Sequence, residues 1–254
     1  ETVALALFPS VLHEGGQLLD LARLAEGARA RGILIGFDLS HSVGVVPHAL
    51  GANGADFAVW CNYKYLNGGP GCPATLYINR RHFGRRPALA GWHGYNKNRQ
   101  FSMLPHFEAA GTAGGWQHGS PHILNMAPLE GSQGLVLQAG IGTIREKSLA
   151  LTDFFIALVE ARLAGHGFSL VTPREHGARG SQVALTHESG WPIMQALIAC
   201  GVIGDFRAPD ILRFGFTPLY VGFEDVWGAV ATLEAIMESD LWREPRFAER
   251  KLVT

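Results

Sequence analysis

The sequence predicts an α/β domain built on a mostly parallel sheet, followed by a smaller α+β domain. Three observations carry this. Two short continuous apolar runs, Ile33 to Phe37 ending in Asp38 and Phe57-Ala58-Val59-Trp60, read as strands buried on both faces. Leucine and alanine at 18, 21, 25 and 28 make the stripe of an amphipathic helix between the first of these runs and the β-rich Val3 to Phe8, so the order is strand-helix-strand. Beyond Gly165 the pattern changes to short strands and a closing helix.

Taken in order, Val3 to Phe8 is the first strand, Gly15-Gly16 leads into the helix, and Gly32 ends it. The strands at 33–38 and 57–60 follow, and Ala74 to Ile78 comes so soon after them that an antiparallel strand is expected. Arg80 to Pro128 is rich in Gly, His and aromatics and reads as loops, a composition more typical of a site than of a core. Ile144 to Leu163 has apolar residues at 151, 154, 155, 158, 159 and 163 and reads as a helix. Ser181 to Thr186 and Ile211 to Phe216 are the strands of the smaller domain, closed by a helix over Asp225 to Met237. The expected domains are 1–140 for the large domain part, 141–165 for a connecting helix and 166–254 for the small α+β domain.

Composition narrows the function classes. With 254 residues, 47% of them hydrophobic and 17% charged, the chain reads as a soluble globular protein, somewhat apolar in a way that suits an oligomer interface. A formal net charge of -1 and the absence of basic runs give no footprint for nucleic acid or an anionic membrane. No apolar run approaches the ~20 residues of a membrane span, and no secretory pattern is present, so a cytoplasmic location is expected. Cysteines 61, 72 and 200 are odd in number and lack C-x-x-C spacing, which points to buried free thiols. His118 and His122 are separated by Gly119-Ser120-Pro121, which no helix spans, so no metal site is expected.

The chemistry centres on a lysine. Of 21 lysines and arginines only four are lysine (64, 97, 147 and 251), and Lys64 stands between two tyrosines, just past a predicted buried strand. In an open α/β sheet the carboxyl ends of strands face the ligand crevice, and Asp38 ends the neighbouring strand. A lysine that forms a Schiff base with pyridoxal phosphate needs an acid opposite the pyridine nitrogen, because the protonated ring is the electron sink. The same spacing also suits a turn-capping Asp38 and a solvent-reaching Lys64. The glycines at 68, 69 and 71 follow the lysine instead of preceding it, unlike a P-loop.

Five segments in this order, "GFDLSHSVG" (36–44), "CNYKYLNGGPG" (61–71), "GWHG" (91–94), "RGSQVAL" (179–185) and "LRFGFTPLY" (212–220), closely resemble kynureninase, a fold-type I pyridoxal-phosphate enzyme. The resemblance implies part of a fold-type I large domain followed by the small C-terminal domain. It implies Lys64 as the Schiff-base lysine, Asp38 as the pyridine-nitrogen partner, and His41 and Tyr63 lining the cofactor. Trp92 and Ser120 would lie near its phosphate, in part from the neighbouring subunit of a homodimer, and Arg213 would bind the substrate carboxylate, with Arg179 a second candidate. Tyr63 is also the candidate acid. The implied reaction is hydrolysis of L-kynurenine or 3-hydroxykynurenine to the anthranilate and L-alanine. His93 and Tyr95 depart from the family's pattern of an aromatic and a histidine. Everything before Val3 to Phe8, including the family's phosphate-binding loop and ring-stacking aromatic, is expected to be missing from this sequence. Two other readings are another fold-type I enzyme, such as a class V aminotransferase or desulfurase-like lyase, and a non-catalytic remnant.

Overall fold

The computed structural model describes residues 3–249; residues 1–2 and 250–254, with Lys251 and the end of the domain expected over 166–254, lie outside the described residues. The chain divides into two units, one of residues 1–10, 20–43 and 48–135, the other of residues 11–19, 44–47 and 136–254.

In the first unit, β1 (Leu5–Pro9), α1 (Leu21–Arg29), β2 (Leu34–Asp38), α2 (Leu50–Asn53), β3 (Phe57–Trp60) and β4 (Thr75–Ile78) follow one another. The sheet order is β1-β2-β3-β4. The first three strands are parallel and β4 runs antiparallel to β3, as its short connection predicts. Asp20 caps α1 by accepting the Arg23 N–H at 3.0 Å, and Leu21, Ala25 and Ala28 form its buried stripe. Ile35, Phe37 and Ala58 are fully buried.

The expectation of strands buried on both faces is corrected by the opposite face. There Leu5, Leu7, Leu34 and Leu76 are 51%, 53%, 40% and 42% exposed. The apolar runs therefore reflect one packed face and one open one. Gly36 lies on the open face, cross-strand from Phe57, and a Cβ there would meet the Phe57 ring at 2.1 Å. The missing side chain is what lets that ring lie across β2.

α3 (Ile123–Ala139) follows, with residues in both units. It starts inside the stretch expected to be loop to Pro128, and Pro128 itself sits within the helix. In the second unit come α4 (Ile141–Arg162), β5 (Ser169–Leu170), β6 (Gln182–Thr186), α5 (Gly190–Ala199), β7 (Asp205–Arg207), β8 (Ile211–Gly215), α6 (Phe223–Glu238) and α7 (Pro245–Ala248). The sheet order is β5-β6-β8-β7, antiparallel throughout. Leu151, Phe155 and Val159 of α4 and Val230 and Leu233 of α6 share one core with Val183, Leu185, Leu212 and Phe214 of the sheet. Their spacing of three or four on each helix and two on each strand is the periodicity that pattern reading depends on.

Candidate functional site

The carboxyl ends of β2 and β3 meet. Asp38 is in register with Val59, and the Leu39 N–H donates to the Val59 carbonyl at 2.8 Å. Asp38 Oδ1 accepts the Ser40 N–H at 2.8 Å, so the carboxylate does cap the turn at Leu39-Ser40. Ser40 Oγ in turn accepts the Cys61 N–H at 3.2 Å, which ties the aspartate loop to the lysine loop.

The loop after β3 is folded tightly enough to aim Lys64. The Asn67 N–H donates to the Lys64 carbonyl at 2.9 Å and the Gly68 N–H to the Asn62 carbonyl at 2.8 Å. A Cβ on Gly68 would fall 2.8 Å from Cys72 Sγ and 2.9 Å from the Asn62 carbonyl, so only glycine fits. Buried Asn62 anchors the loop, accepting from the Trp60 indole at 3.0 Å and donating to Thr75 at 2.9 Å. Lys64 Nζ then lies 3.0 Å from His41 Nε2. Tyr63 points outward, 54% exposed. Its hydrogen bond to the Cys61 side chain, followed by the negative charge Cys61 carries when ionised, partial burial and the nearby Asp38 carboxylate, holds the phenol above its ordinary pKa. Asp38, His41, Tyr63 and Lys64 thus form one group.

Trp92 and Ser120 sit in a second cluster of the same unit. The Ser120 hydroxyl is 3.1 Å from His93 Nε2, and the His93 N–H donates to the His118 carbonyl at 3.3 Å. Gly91 makes the approach possible, since a Cβ there would lie 2.1 Å from the His118 carbonyl oxygen. Trp92 is 46% exposed and packs edge-on against Phe101, ring centroids 5.4 Å apart.

The two candidate arginines lie in the second unit, and their surroundings separate them. Arg179 is fully buried, bonded to Thr152 at 3.2 Å, to the Arg174 carbonyl and to Asp153, which commits it to the fold. Arg213 on β8 is only partly buried. Its guanidinium forks onto Asp205, the cross-strand residue on β7, and also donates to the His13 carbonyl. Asp205 is half-buried and also lies 3.4 Å from Arg207.

Sequence reading passed over Ser10, Ser40, Ser42 and His48, which support this edge from below, and took the three cysteines as buried. Cys72 is buried, Cys61 half-buried and Cys200, at the end of α5, exposed. Among the described residues no group of three or more His, Cys, Asp or Glu is arranged to hold a metal.

The donor set fits a phosphorylated pyridine aldehyde. It offers an amine at Lys64, a carboxylate held by one N–H and able to accept another, and an imidazole beside the amine. The three-stranded parallel core, with lysine past one strand and aspartate ending its neighbour, belongs to the fold class called fold type I. A cysteine desulfurase from Thermococcus onnurineus superposes with a TM-score of 0.75 at 17% identity, over 92% of this chain and 60% of its own. An alanine–glyoxylate aminotransferase from Nostoc does so at 0.68 and 18%, over 92% and 62%.

Within that class the sequence likeness is to kynureninases. Residues 144–233 match the kynureninase C-terminal domain. A kynureninase from Geobacillus thermodenitrificans is 47% identical over 244 residues, 96% of this chain and 57% of that protein. One from Bacillus anthracis is 46% identical over the same shares. The chain therefore spans just over half the length of the curated relatives it matches.

Proposed function

We propose that this chain carries the catalytic lysine, the ring-nitrogen acid and the carboxylate-binding arginine of a kynureninase, a pyridoxal-phosphate-dependent hydrolase of L-kynurenine or 3-hydroxykynurenine. The observation that supports this most is the grouping of Lys64, His41 and Asp38 at the carboxyl ends of neighbouring parallel strands, in a chain 47% identical to a kynureninase. Pyridoxal phosphate, when bound, supplies the electron sink that makes the substrate's Cα and Cβ positions acidic.

The chain's own residues do the rest. Lys64 would hold the cofactor through its amine and, with that amine free, would take the proton from the substrate's Cα. Asp38, its geometry set by the Ser40 N–H, supplies the negative charge that keeps the ring nitrogen protonated. Arg213 receives the substrate carboxylate in place of Asp205. Water would add to the γ-carbonyl, the Cβ–Cγ bond would break with its electron pair going to Cβ, Tyr63 would donate its proton to Cβ and regain one from the added water, and Lys64 would return its proton to Cα. The products are L-alanine and anthranilate or its 3-hydroxy form.

His41 beside Lys64, and Trp92 and Ser120 toward the phosphate, complete the cofactor set, and the assembly is inferred to be a homodimer in which the Trp92–Ser120 segment serves the neighbouring site. No described helix is long and apolar enough to cross a membrane, and a cytoplasmic setting accords with the substrate class. The test is turnover of L-kynurenine in the presence of pyridoxal phosphate, followed by anthranilate fluorescence and alanine release. A protein that fixes pyridoxyl on Lys64 yet releases neither product from kynurenine belongs to another fold-type I chemistry.

A further inference from the structure

Directly under the aspartate lies a buried polar chain that the reaction above does not use. Ser10, at the end of β1, and Ser42 are both 0% exposed, and their hydroxyl oxygens are 2.6 Å apart. His48 Nε2 is 2.7 Å from Ser42 Oγ. At the other end, the Ser10 N–H and Ser10 hydroxyl both donate to the Asp38 carbonyl, at 2.8 and 3.2 Å, while the Ser42 hydroxyl lies 3.2 Å from the Leu39 carbonyl. Both peptide carbonyls flanking the start of the aspartate turn are therefore held by one connected set of side chains.

Counting protons shows that the chain is satisfied with either neutral tautomer of His48. Ser42 has one proton and three polar neighbours, of which the Leu39 carbonyl accepts only. If His48 Nε2 is the acceptor, Ser42 donates to it and Ser10 donates to Ser42, while the Leu39 carbonyl keeps the Ser42 and Val43 N–H groups, each at 2.9 Å. With the proton on His48 Nε2, the imidazole donates to Ser42, Ser42 donates onward to Ser10 or Leu39, and Ser10 is left to donate to Asp38 or Ser42. Burial independently keeps His48 neutral, pulling its pKa down to about 4. A hydrolase-like serine–histidine dyad is the other use of such a pair. Complete burial of Ser42 excludes it, because no substrate reaches the hydroxyl.

We propose that His48, Ser42 and Ser10 are positioning residues that fix the Asp38 turn through its carbonyl. Unmet hydroxyls at 0% exposure destabilise, so the set acts as a unit and removing one partner frees the next. The part of the proposal concerning the cofactor rests on the reading of Asp38 as the ring-nitrogen acid; the part concerning the turn does not.

The experiment measures amide hydrogen exchange at positions 10 and 40 in the full chain without cofactor, and then pyridoxal phosphate affinity by absorbance titration. His48→Leu keeps bulk and removes the polar partner, His48→Gln restores one, and Ser10→Ala removes the hydroxyl link to the Asp38 carbonyl while the Ser10 N–H stays. His48→Leu and Ser10→Ala should speed exchange at both positions by about tenfold and weaken cofactor binding by a similar factor, while His48→Gln stays within about threefold of the parent. Unchanged exchange in His48→Leu and Ser10→Ala would overturn the proposal, as would a His48→Gln variant as impaired as His48→Leu, since bulk alone would then matter. If the parent chain fixes no pyridoxyl on Lys64, the functional reading fails, and exchange at positions 10 and 40 still decides whether the chain holds the turn.

Discussion

Lys64 Nζ and His41 Nε2 are 3.0 Å apart, and this contact distinguishes Lys64 from the other described lysines. Lys97 and Lys147 donate to main-chain carbonyls, of His93 at 2.7 Å and Pro218 at 2.6 Å, which never take a proton. An imidazole does, so Lys64 has beside it a group able to accept the proton that an amine must lose before it attacks an aldehyde. Borohydride reduction in the presence of pyridoxal phosphate should therefore place the pyridoxyl group on the peptide carrying Lys64. Recovery on Lys97 or Lys147 instead would end the assignment. Lys64→Ala should lower kynurenine turnover by roughly a thousandfold, within the usual reach of general acid–base catalysis.

Asp38→Asn keeps the size and the capping oxygen for the Ser40 N–H, so the turn should survive while the negative charge is lost. The ring nitrogen then has no carboxylate to keep it protonated. Exchange of the L-alanine α-proton into deuterated water should fall by roughly a hundredfold or more, in line with the loss of one preorganised electrostatic partner, while cofactor binding falls much less. Exchange at the parent rate would show that another group organises the sink.

Much of this was legible in the sequence, for definite reasons. β2 and β3 are short, continuous and largely apolar, and Asp38 and Lys64 stand at or just past their ends, so the edge could be read without a structure. α3 could not, because Pro128, Gly131 and Gly134 are helix breakers by propensity, and the helix exists in spite of them. α5 is apolar almost throughout, with no stripe to read, and β7 is three residues long. The Arg213–Asp205 pairing follows only from strand register, and the Ser10–Ser42 contact spans 32 residues of sequence. Polar partners brought together by topology leave no local pattern.

The two arginines make opposite predictions. Arg179→Ala removes a fully buried guanidinium, leaving a cavity and an Arg174 carbonyl without that donor, while Thr152 keeps its bonds to the Ser148 and Leu149 carbonyls and Asp153 keeps His176 but loses its arginine. Because Asp153 is 48% exposed on its side chain, water relieves part of the charge, and a loss of about 2–4 kcal/mol in stability is expected from chemical denaturation. Arg213→Ala instead leaves a half-buried Asp205 still beside Arg207 and should cost less stability than Arg179→Ala. Its effect should appear as a roughly 10–100-fold rise in KM for kynurenine, the worth of a charge-assisted pair of hydrogen bonds. A large stability loss in Arg213→Ala with unchanged KM would reassign it to the fold alongside Arg179.

His48 gives the fold a pH dependence whose direction follows from its burial. Its pKa falls from 6.5 to about 4 in the folded chain because the imidazolium would have to be buried. Between these values the unfolded chain binds the proton and the folded chain does not, so stability is intact above about pH 6.5 and declines as pH drops toward 4, where the loss levels off. The whole window corresponds to on the order of 3 kcal/mol, an upper figure because water entering around a partly exposed ring lowers it. Asp56 acts in the same direction at lower pH. Burial raises its carboxyl, but the Ile35 N–H, His82 and Arg81 outweigh that and hold it below its ordinary 3.8, so its contribution is lost only as pH falls below that value. Urea denaturation at pH 7.5 and pH 5 should therefore differ clearly in the parent and much less in His48→Gln, which has no proton to gain. Equal pH slopes in the two proteins would show that His48 is not the group responsible.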